Sequence, residues 1–314
     1  MDLSVVLSFR NEARNLEEMV NRLVASLRNE KHIKFELIFV NDASTDGSFA
    51  ILKNLQENFS PEIVIVNMSR NFGVAECVLA GFEVSQGANV VYMDCDLQDP
   101  PELIPILLDR VSETGAEIVH TKRISRAGES WIKLRVTSLG YKYLSRVYET
   151  TIPKEAGDFK LLTRRIVNLI LEHKEHLPFI RGSIANLGFS QSFVEYSRDS
   201  RADGAKNTKF RVFSWRWLSR HIDSTLISFT DIPLKISLMI GFLVSMLSML
   251  GIFIVVLMKI LNLSVGGWAA IMVTVCFLGG IQMILIGIVG LYVNVIYRET
   301  KARPIYIIDK VIRN

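Results

Sequence analysis

Cysteine is scarce. The chain has three among its 314 residues, Cys77, Cys95 and Cys276. This odd, scattered set forms neither a disulfide framework nor a zinc-binding spacing. Charge of one sign is also lacking. The formal net charge is +4, so nothing global marks a nucleic-acid binder. No internal repeat or low-complexity linker is present. No G-x-G-x-x-G follows the first strand-like run, and G-x-x-x-x-G-K-[ST] is absent throughout. A dinucleotide-dependent dehydrogenase and a P-loop nucleotidase are set aside on that ground. Met1-Asp2-Leu3-Ser4-Val5-Val6-Leu7 runs directly into a strand pattern without a basic leader, so no signal peptide is expected.

What is present is apolar and ordered. The length exceeds one ordinary domain and allows a sizeable core. Mean hydropathy is +0.28, with the excess near the C-terminus, which points to membrane spans. Strand patterns fall at residues 3–9, 35–40, 62–68, the run ending at Asp94, and 117–121, with amphipathic helices between them. That alternation predicts an α/β fold with a mostly parallel sheet and helices on both faces.

Polar residues collect after each strand: Asn11 and Glu12, then Asp42, Arg70 and Asn71, Asp94 and Asp96, and Arg123. Singly these are ordinary turn formers and caps. Five such loops in register mark the edge where an α/β sheet places its ligand. The stretch Val90-Val91-Tyr92-Met93-Asp94-Cys95-Asp96-Leu97-Gln98-Asp99-Pro100-Pro101-Glu102 is central. In an extended strand Asp94 and Asp96 share a face and Cys95 takes the other, which places Cys95 in the core. Two hard oxygen donors suit Mg²⁺ or Mn²⁺, with water and phosphate oxygens completing the shell. Alone, an Asp-x-Asp serves equally as a solvated strand end. Closing a buried-looking strand, it reads as a metal–diphosphate site. Pro-Pro-Glu then looks like a first helical turn.

At these residues the chain resembles the family 2 glycosyltransferases of the GT-A fold. The closer resemblance is to the polyprenyl-phosphate glycosyltransferases, the group of dolichyl-phosphate mannose synthase and bactoprenol glucosyltransferase. It rests on Asn11-Glu12, Val40-Asn41-Asp42-Ala43-Ser44, Ser69-Arg70-Asn71-Phe72-Gly73, the stretch from Asp94 to Glu102, Gly157-Asp158-Phe159-Lys160-Leu161 and Lys301-Ala302-Arg303-Pro304. The resemblance implies that Glu12 and Asp42 hold the nucleoside, and that Asp94, Asp96 and Gln98 surround metal and diphosphate. It further implies that Arg123 and Arg135 hold the acceptor phosphate and that Asp158 faces the reaction centre. The chain departs from the family at Ser8-Phe9-Arg10, where proline and an aromatic are usual. It departs again at Gly290-Leu291-Tyr292-Val293-Asn294-Val295, where Gly-Glu-Tyr-x-Gly-Arg is usual. From its residues alone, Asp158 also reads as a turn residue before a helix at 163–172.

The remaining segments read as membrane-facing. Residues 125–148 mix Arg126, Lys133, Arg135, Lys142 and Arg146 with Trp131, Leu134 and tyrosines, a basic amphipathic helix suited to a bilayer surface, the alternative being an ordinary packed helix with a solvated face. His173 and His176 lack a third ligand and read as surface groups at a helix end. Arg198, Arg201, Lys206 and Lys209 surround Gly204 in a loop that reads equally as a flexible surface loop or, by the family resemblance, as one that closes over the donor diphosphate. Residues 210–229 place tryptophans among arginines before Pro233, as an interfacial helix does. Apolar runs at 236–258 and within 268–297 are each long enough to cross ~30 Å of hydrocarbon, and Gly279, Gly280, Gly287 and Gly290 suit close helix approach. Cations flank the pair outside its short connection, which places both termini on the cytoplasmic side.

The expected organisation is a cytoplasmic GT-A catalytic domain at 1–209, interfacial helices at 210–232, two transmembrane helices at 233–298 and a cytoplasmic tail at 299–314. The expected activity is inverting, metal-dependent transfer of one sugar, UDP-glucose favoured, to undecaprenyl phosphate at the bacterial inner membrane. The product would serve cell-envelope glycan modification such as O-antigen decoration. Asp158 and Asp96 are the catalytic candidates. Glu12, Asp42, Asp94, Gln98, Arg201 and Lys209 would bind the nucleotide sugar, and Arg123 and Arg135 the acceptor phosphate. Asp94 and Asp96 would hold Mg²⁺ or Mn²⁺. Tetramers occur in the family. The alternatives are another sugar (N-acetylglucosamine, mannose, 4-amino-arabinose), a processive polysaccharide synthase, or a non-catalytic scaffold. No Gln-x-x-Arg-Trp element supports the synthase.

Overall fold

The computed structural model describes residues 1–28, 33–59, 62–123, 156–172, 180–196, 232–261 and 267–313. It divides into two compact units, residues 1–209 with 304–314, and residues 210–303.

The first unit is built on one eight-stranded sheet. Its elements in chain order are β1 (Leu3–Phe9), α1 (Leu16–Arg28), β2 (Phe35–Asn41), α2 (Ser48–Asn58), β3 (Ile63–Met68), α3 (Val74–Val84) and β4 (Asn89–Asp94). A 3₁₀ turn at Pro101–Leu103 leads into α4 (Ile104–Thr114) and β5 (Ile118–Arg123). Then come β6 (Ala156–Thr163), α5 (Arg164–Glu172), α6 (Ile180–Asn186), β7 (Gln191–Tyr196) and, at the C-terminus, β8 (Ile308–Arg313). The strand order is β7-β5-β6-β4-β1-β2-β3-β8. Pairings β1–β2, β1–β4, β2–β3 and β5–β7 are parallel, and β4–β6, β5–β6 and β3–β8 are antiparallel.

The continuous apolar runs of β1 and β2 follow from burial on both faces. Val5 and Leu7 pack with Leu16, Met19 and Leu23 of α1, Leu52 of α2 and Ile104 and Leu107 of α4. Val6 and Ile38 pack on the other face with Val78 and Phe82 of α3, Ile166 and Ile170 of α5 and Ile184 of α6. Helix α3 lies close on β1: a Cβ added at Gly81 would stand 2.3 Å from Val6 Cγ1. The expected mostly parallel sheet, covered on both faces, is therefore what forms.

Three strands depart from the sequence reading. Asp158 sits within β6, not in a turn, and β6 runs antiparallel between β4 and β5. Strand β7 pairs with β5. The C-terminal segment, expected as a tail, ends in a strand that completes the sheet beyond β3. Its contacts explain why. Gln56 Nε2 donates to Ile312 O at 3.0 Å, Tyr306 Oη donates to Glu83 at 2.6 Å, and Arg313 Nη2 donates to Val84 O at 3.1 Å.

The second unit contributes α7 (Ile232–Ile260) and α8 (Trp268–Thr300). Within them Ser237–Met258 and Phe277–Thr300 are long and apolar enough to cross a membrane. Pro233 falls in the first turn of α7, where its missing N–H costs nothing. Leu238, Phe242, Phe253 and Met283 are exposed. The glycines expected to suit close helix approach have open space around them. Among the described residues nothing lies within 4 Å of a Cβ built at Gly279, Gly280, Gly287 or Gly290. The expected helices at 125–148 and 210–229 and the loop around Gly204 lie outside the described residues, as do His173 and His176.

Candidate active site

The parallel strands β1, β2 and β4 end together, and the loops after them build one cleft of about 270 Å³. Ser8, Phe9, Arg10, Glu12, Asp42, Asp94, Cys95 and Asp96 line it, with Val74 and Cys77 of α3. Four of the sequence-predicted residues are thus brought together: Glu12, Asp42, Asp94 and Asp96. Arg10 is the one cation among these lining residues.

Local geometry fixes each carboxylate. Asn11 takes a left-handed conformation, φ 59°, and ties the first two loops. It accepts from Thr45 N–H at 2.8 Å and donates its own N–H to Ser44 Oγ at 3.0 Å. Glu12 accepts from Asn15 Nδ2 at 2.6 Å. Asp42 is buried and already engaged by the loop after β3: Asn71 Nδ2 donates to Oδ2, and Phe72 N–H donates to Oδ1 at 2.7 Å. The two-face alternation expected across Asp94, Cys95 and Asp96 stops early, because β4 ends at Asp94 and a turn follows. Asp96 Oδ1 instead accepts the Gln98 N–H at 3.1 Å across a left-handed Leu97. The Gln98 side chain is not among the groups lining the cleft. Cys95 is 2% exposed and packs in the core as expected, although it also borders the cleft. Burial pushes the thiols of Cys77 and Cys95 well above their usual range, and the nearby carboxylates add to it.

A second, smaller cleft of about 220 Å³ adjoins the first and shares Asp94 with it. It is lined by the apolar Val74, Ala75, Val78, Met93 and Ile180, together with Tyr92, Asp158 and Arg181. Arg181 of α6 grips Asp158 as a fork, Nε to Oδ1 at 2.6 Å and Nη2 to Oδ2 at 2.5 Å. This bidentate geometry is the strong form of a charge-assisted pair. Lys160, two residues along β6, is buried beside it. Burial brings its ammonium down to about 7, Arg181 pushes the same way and Asp158 opposes. On β5, opposite Lys160 in the ladder, burial and the Lys160 charge hold His120 neutral, down to about 3.

Arg123 ends β5. Arg135, Arg201 and Lys209 lie outside the described residues. Sequence reasoning missed Arg181 altogether and passed over Lys160 and Tyr92. Lys160 was legible: period-two alternation in Asp158-Phe159-Lys160 puts both charges on one face of a strand. Arg181 lies on a short helix 23 residues from its partner, and only the fold brings it to β6.

Asp94 and Asp96 fit a divalent ion as two hard oxygen donors on one cleft. Among the described residues no group of three or more His, Cys, Asp or Glu could hold an ion alone. Mg²⁺ is ordinarily held in this way, by one or two carboxylates with substrate phosphates and water completing its shell.

Residues 4–171 match the glycosyl transferase family 2 profile. The chain is similar to an uncharacterized glycosyltransferase of Synechocystis, 39% identical over 98% of this chain and 95% of that protein. It is similar to a prophage bactoprenol glucosyl transferase homolog of Escherichia coli K12, 32% identical over 99% of each chain. The bactoprenol glucosyl transferase of Shigella phage SfX is also 32% identical, over 98% of this chain and 99% of that one. Similar solved structures include mannosyl-3-phosphoglycerate synthase from Rubrobacter xylanophilus, with 16% identity, 72% of each chain covered and a TM-score of 0.48. Sheet, cleft and relatives agree: the chain belongs to glycosyltransferase family 2 and is a glycosyltransferase with a GT-A catalytic fold.

Proposed function

We propose that the protein transfers a single sugar, glucose from UDP-glucose favoured, to a polyprenyl phosphate at the cytoplasmic face of a bacterial membrane. The observation that carries this reading is the pair of adjoining clefts joined at Asp94. One is acidic and sized for a metal–diphosphate group. The other is largely apolar with Asp158 on its wall. Relatives of nearly equal length that carry the name bactoprenol glucosyl transferase support the acceptor class. The two apolar helices suit a lipid-borne substrate.

In this reading Glu12 and Asp42 hold the nucleoside side of the donor. Asp94 and Asp96 hold Mg²⁺ or Mn²⁺, which when bound supplies positive charge where the departing diphosphate develops negative charge. An acceptor phosphate oxygen is ionised near neutral pH and attacks the anomeric carbon without much base help. Direct displacement inverts that carbon. Asp158, gripped on both oxygens by Arg181, serves as a fixed negative charge beside the anomeric centre rather than as a proton acceptor. Arg123 and Arg135 are assigned to the acceptor phosphate, and Gln98, Arg201 and Lys209 to the donor diphosphate.

The test is a nucleotide-sugar screen on membranes supplied with undecaprenyl phosphate and Mg²⁺ or Mn²⁺. The expected product is radiolabelled sugar in butanol-extractable lipid, one residue per lipid, formed best from UDP-glucose. Polymeric product, or label that never enters lipid with any donor, overturns the reading.

A further inference from the structure

The smaller cleft is lined by Tyr92, whose buried hydroxyl its present contacts leave unused, and Lys160 lies behind that wall. Lys160 is 2% exposed and sits opposite Tyr92 in the β4–β6 ladder, its Nζ 5.9 Å from the Tyr92 ring centroid. It makes no hydrogen bond or ion pair among the described residues, although the charges of Asp158 and Arg181 both act on it. The Tyr92 hydroxyl is likewise buried without a hydrogen-bond partner, within range of Asp158, Arg181 and Asp94. A buried hydroxyl left unpartnered is costly, and so is a buried ammonium whose contact is a ring centroid 5.9 Å away. Groups of this kind in a folded protein call for a second arrangement that satisfies them.

That arrangement is at hand. Two cations compete for one carboxylate. Among the described residues the charged and titratable groups facing the cluster are Asp158 and Lys160 from β6, Tyr92 and Asp94 from β4, His120 from β5 and Arg181 from α6. Of the two cations only Arg181 lines the cleft, where a ligand could reach it. Its guanidinium fork matches a phosphate oxyanion as well as it matches a carboxylate. We propose that Arg181 is an anion-receiving arm: it exchanges Asp158 for a phosphate oxyanion entering the smaller cleft, and Asp158 is then held by Lys160 and the Tyr92 hydroxyl. This rests on the proposed reading that phosphate-bearing substrates meet at this site. The oxyanion has two sources, the acceptor phosphomonoester or the donor diphosphate.

The test measures binding to the full chain in lipid nanodiscs with two probes, geranyl phosphate and UDP. Wild type, Arg181→Gln and Arg181→Lys are compared, each checked for an intact thermal transition. Loss of about tenfold or more in affinity for geranyl phosphate in Arg181→Gln, with partial recovery in Arg181→Lys, supports the proposal with the acceptor as source. The same loss confined to UDP supports it with the donor as source. Unchanged affinity for both probes overturns it and leaves Arg181 as a brace for Asp158. If Arg181→Gln does not fold, the Lys variant decides, because a shortened point charge weakens a forked phosphate contact and leaves a mere brace's binding unchanged. Wild-type protein that binds neither probe overturns the proposed function itself, whereas a transferring wild type with insensitive variants overturns only this inference.

Discussion

Replacing Arg313 by alanine tests how the C-terminal strand is fastened. Glu36 on β2 has a side chain 1% exposed, and Arg313 Nη2 stands 3.1 Å from its Oε2. Oε1 accepts from Ser4 Oγ at 2.7 Å and from Gln86 N–H at 2.6 Å. Oε2 has no aligned hydrogen bond, so the arginine is its direct charge partner. Removing one member of a buried pair costs about 3–5 kcal/mol. Arg313 is 32% exposed, so water screens the contact and the figure must be discounted. Arg164, held on Gly87 O, also feels the Glu36 charge and absorbs part of the loss. About 2 kcal/mol remains, which for a unit of roughly 200 residues lowers Tm by about 4–8 °C. The assay is thermal unfolding of the detergent-solubilised chain followed by intrinsic fluorescence. In the Arg313→Ala background, Glu36→Gln removes the stranded charge and is expected to restore at least half of the lost Tm. A shift under about 1 °C in the single variant, or no recovery in the double, refutes the reasoning.

Other outcomes follow from the same geometry. Lys160 has a folded-state value of about 7 against 10.5 ordinarily. Between those values the unfolded chain holds a proton that the folded chain lacks, so stability rises with pH by up to roughly 1 kcal/mol per unit. Urea unfolding at pH 7 and pH 9 is expected to reveal that slope in wild type and a smaller one in Lys160→Met. An equal slope in both contradicts the burial of a charge there. Gly81→Ala places a Cβ 2.3 Å from Val6 and is expected to cost about 1–3 kcal/mol by overpacking, read as a lower urea midpoint; an unchanged midpoint is evidence that α3 shifts freely on β1. Removal of residues 304–314 uncovers the β3 edge and is expected to promote association, visible as aggregate in size exclusion; a monodisperse truncated chain argues against the clasp.

Strands β1 to β4 were legible because strands buried on both faces are largely apolar runs, and the loops after β1, β2 and β4 carried Glu12, Asp42, Asp94 and Asp96 openly. All four line the larger cleft. From the residues alone Asp158 also read as a turn, because Gly157-Asp158 satisfies a turn as readily as a strand start, and only pairing with β4 decides. Strand β8 was hidden by its position. An edge strand keeps polar residues such as Asp309, Lys310 and Arg313, and a short polar segment after an apolar helix looks like a tail. Arg181 was hidden for another reason: nothing within its own segment marks an ion pair formed 23 residues away.

The central claim is that the acidic cleft at the ends of β1, β2 and β4 is where the sugar is activated. It is tested most directly by the initial rate of glucose transfer from UDP-glucose to undecaprenyl phosphate by wild type and by Asp96→Ala, matched for thermal stability. The expected result is steady formation of a singly glycosylated lipid by wild type and a loss of at least about a hundredfold in the variant. An Asp96→Ala protein that transfers glucose at the wild-type rate contradicts the account.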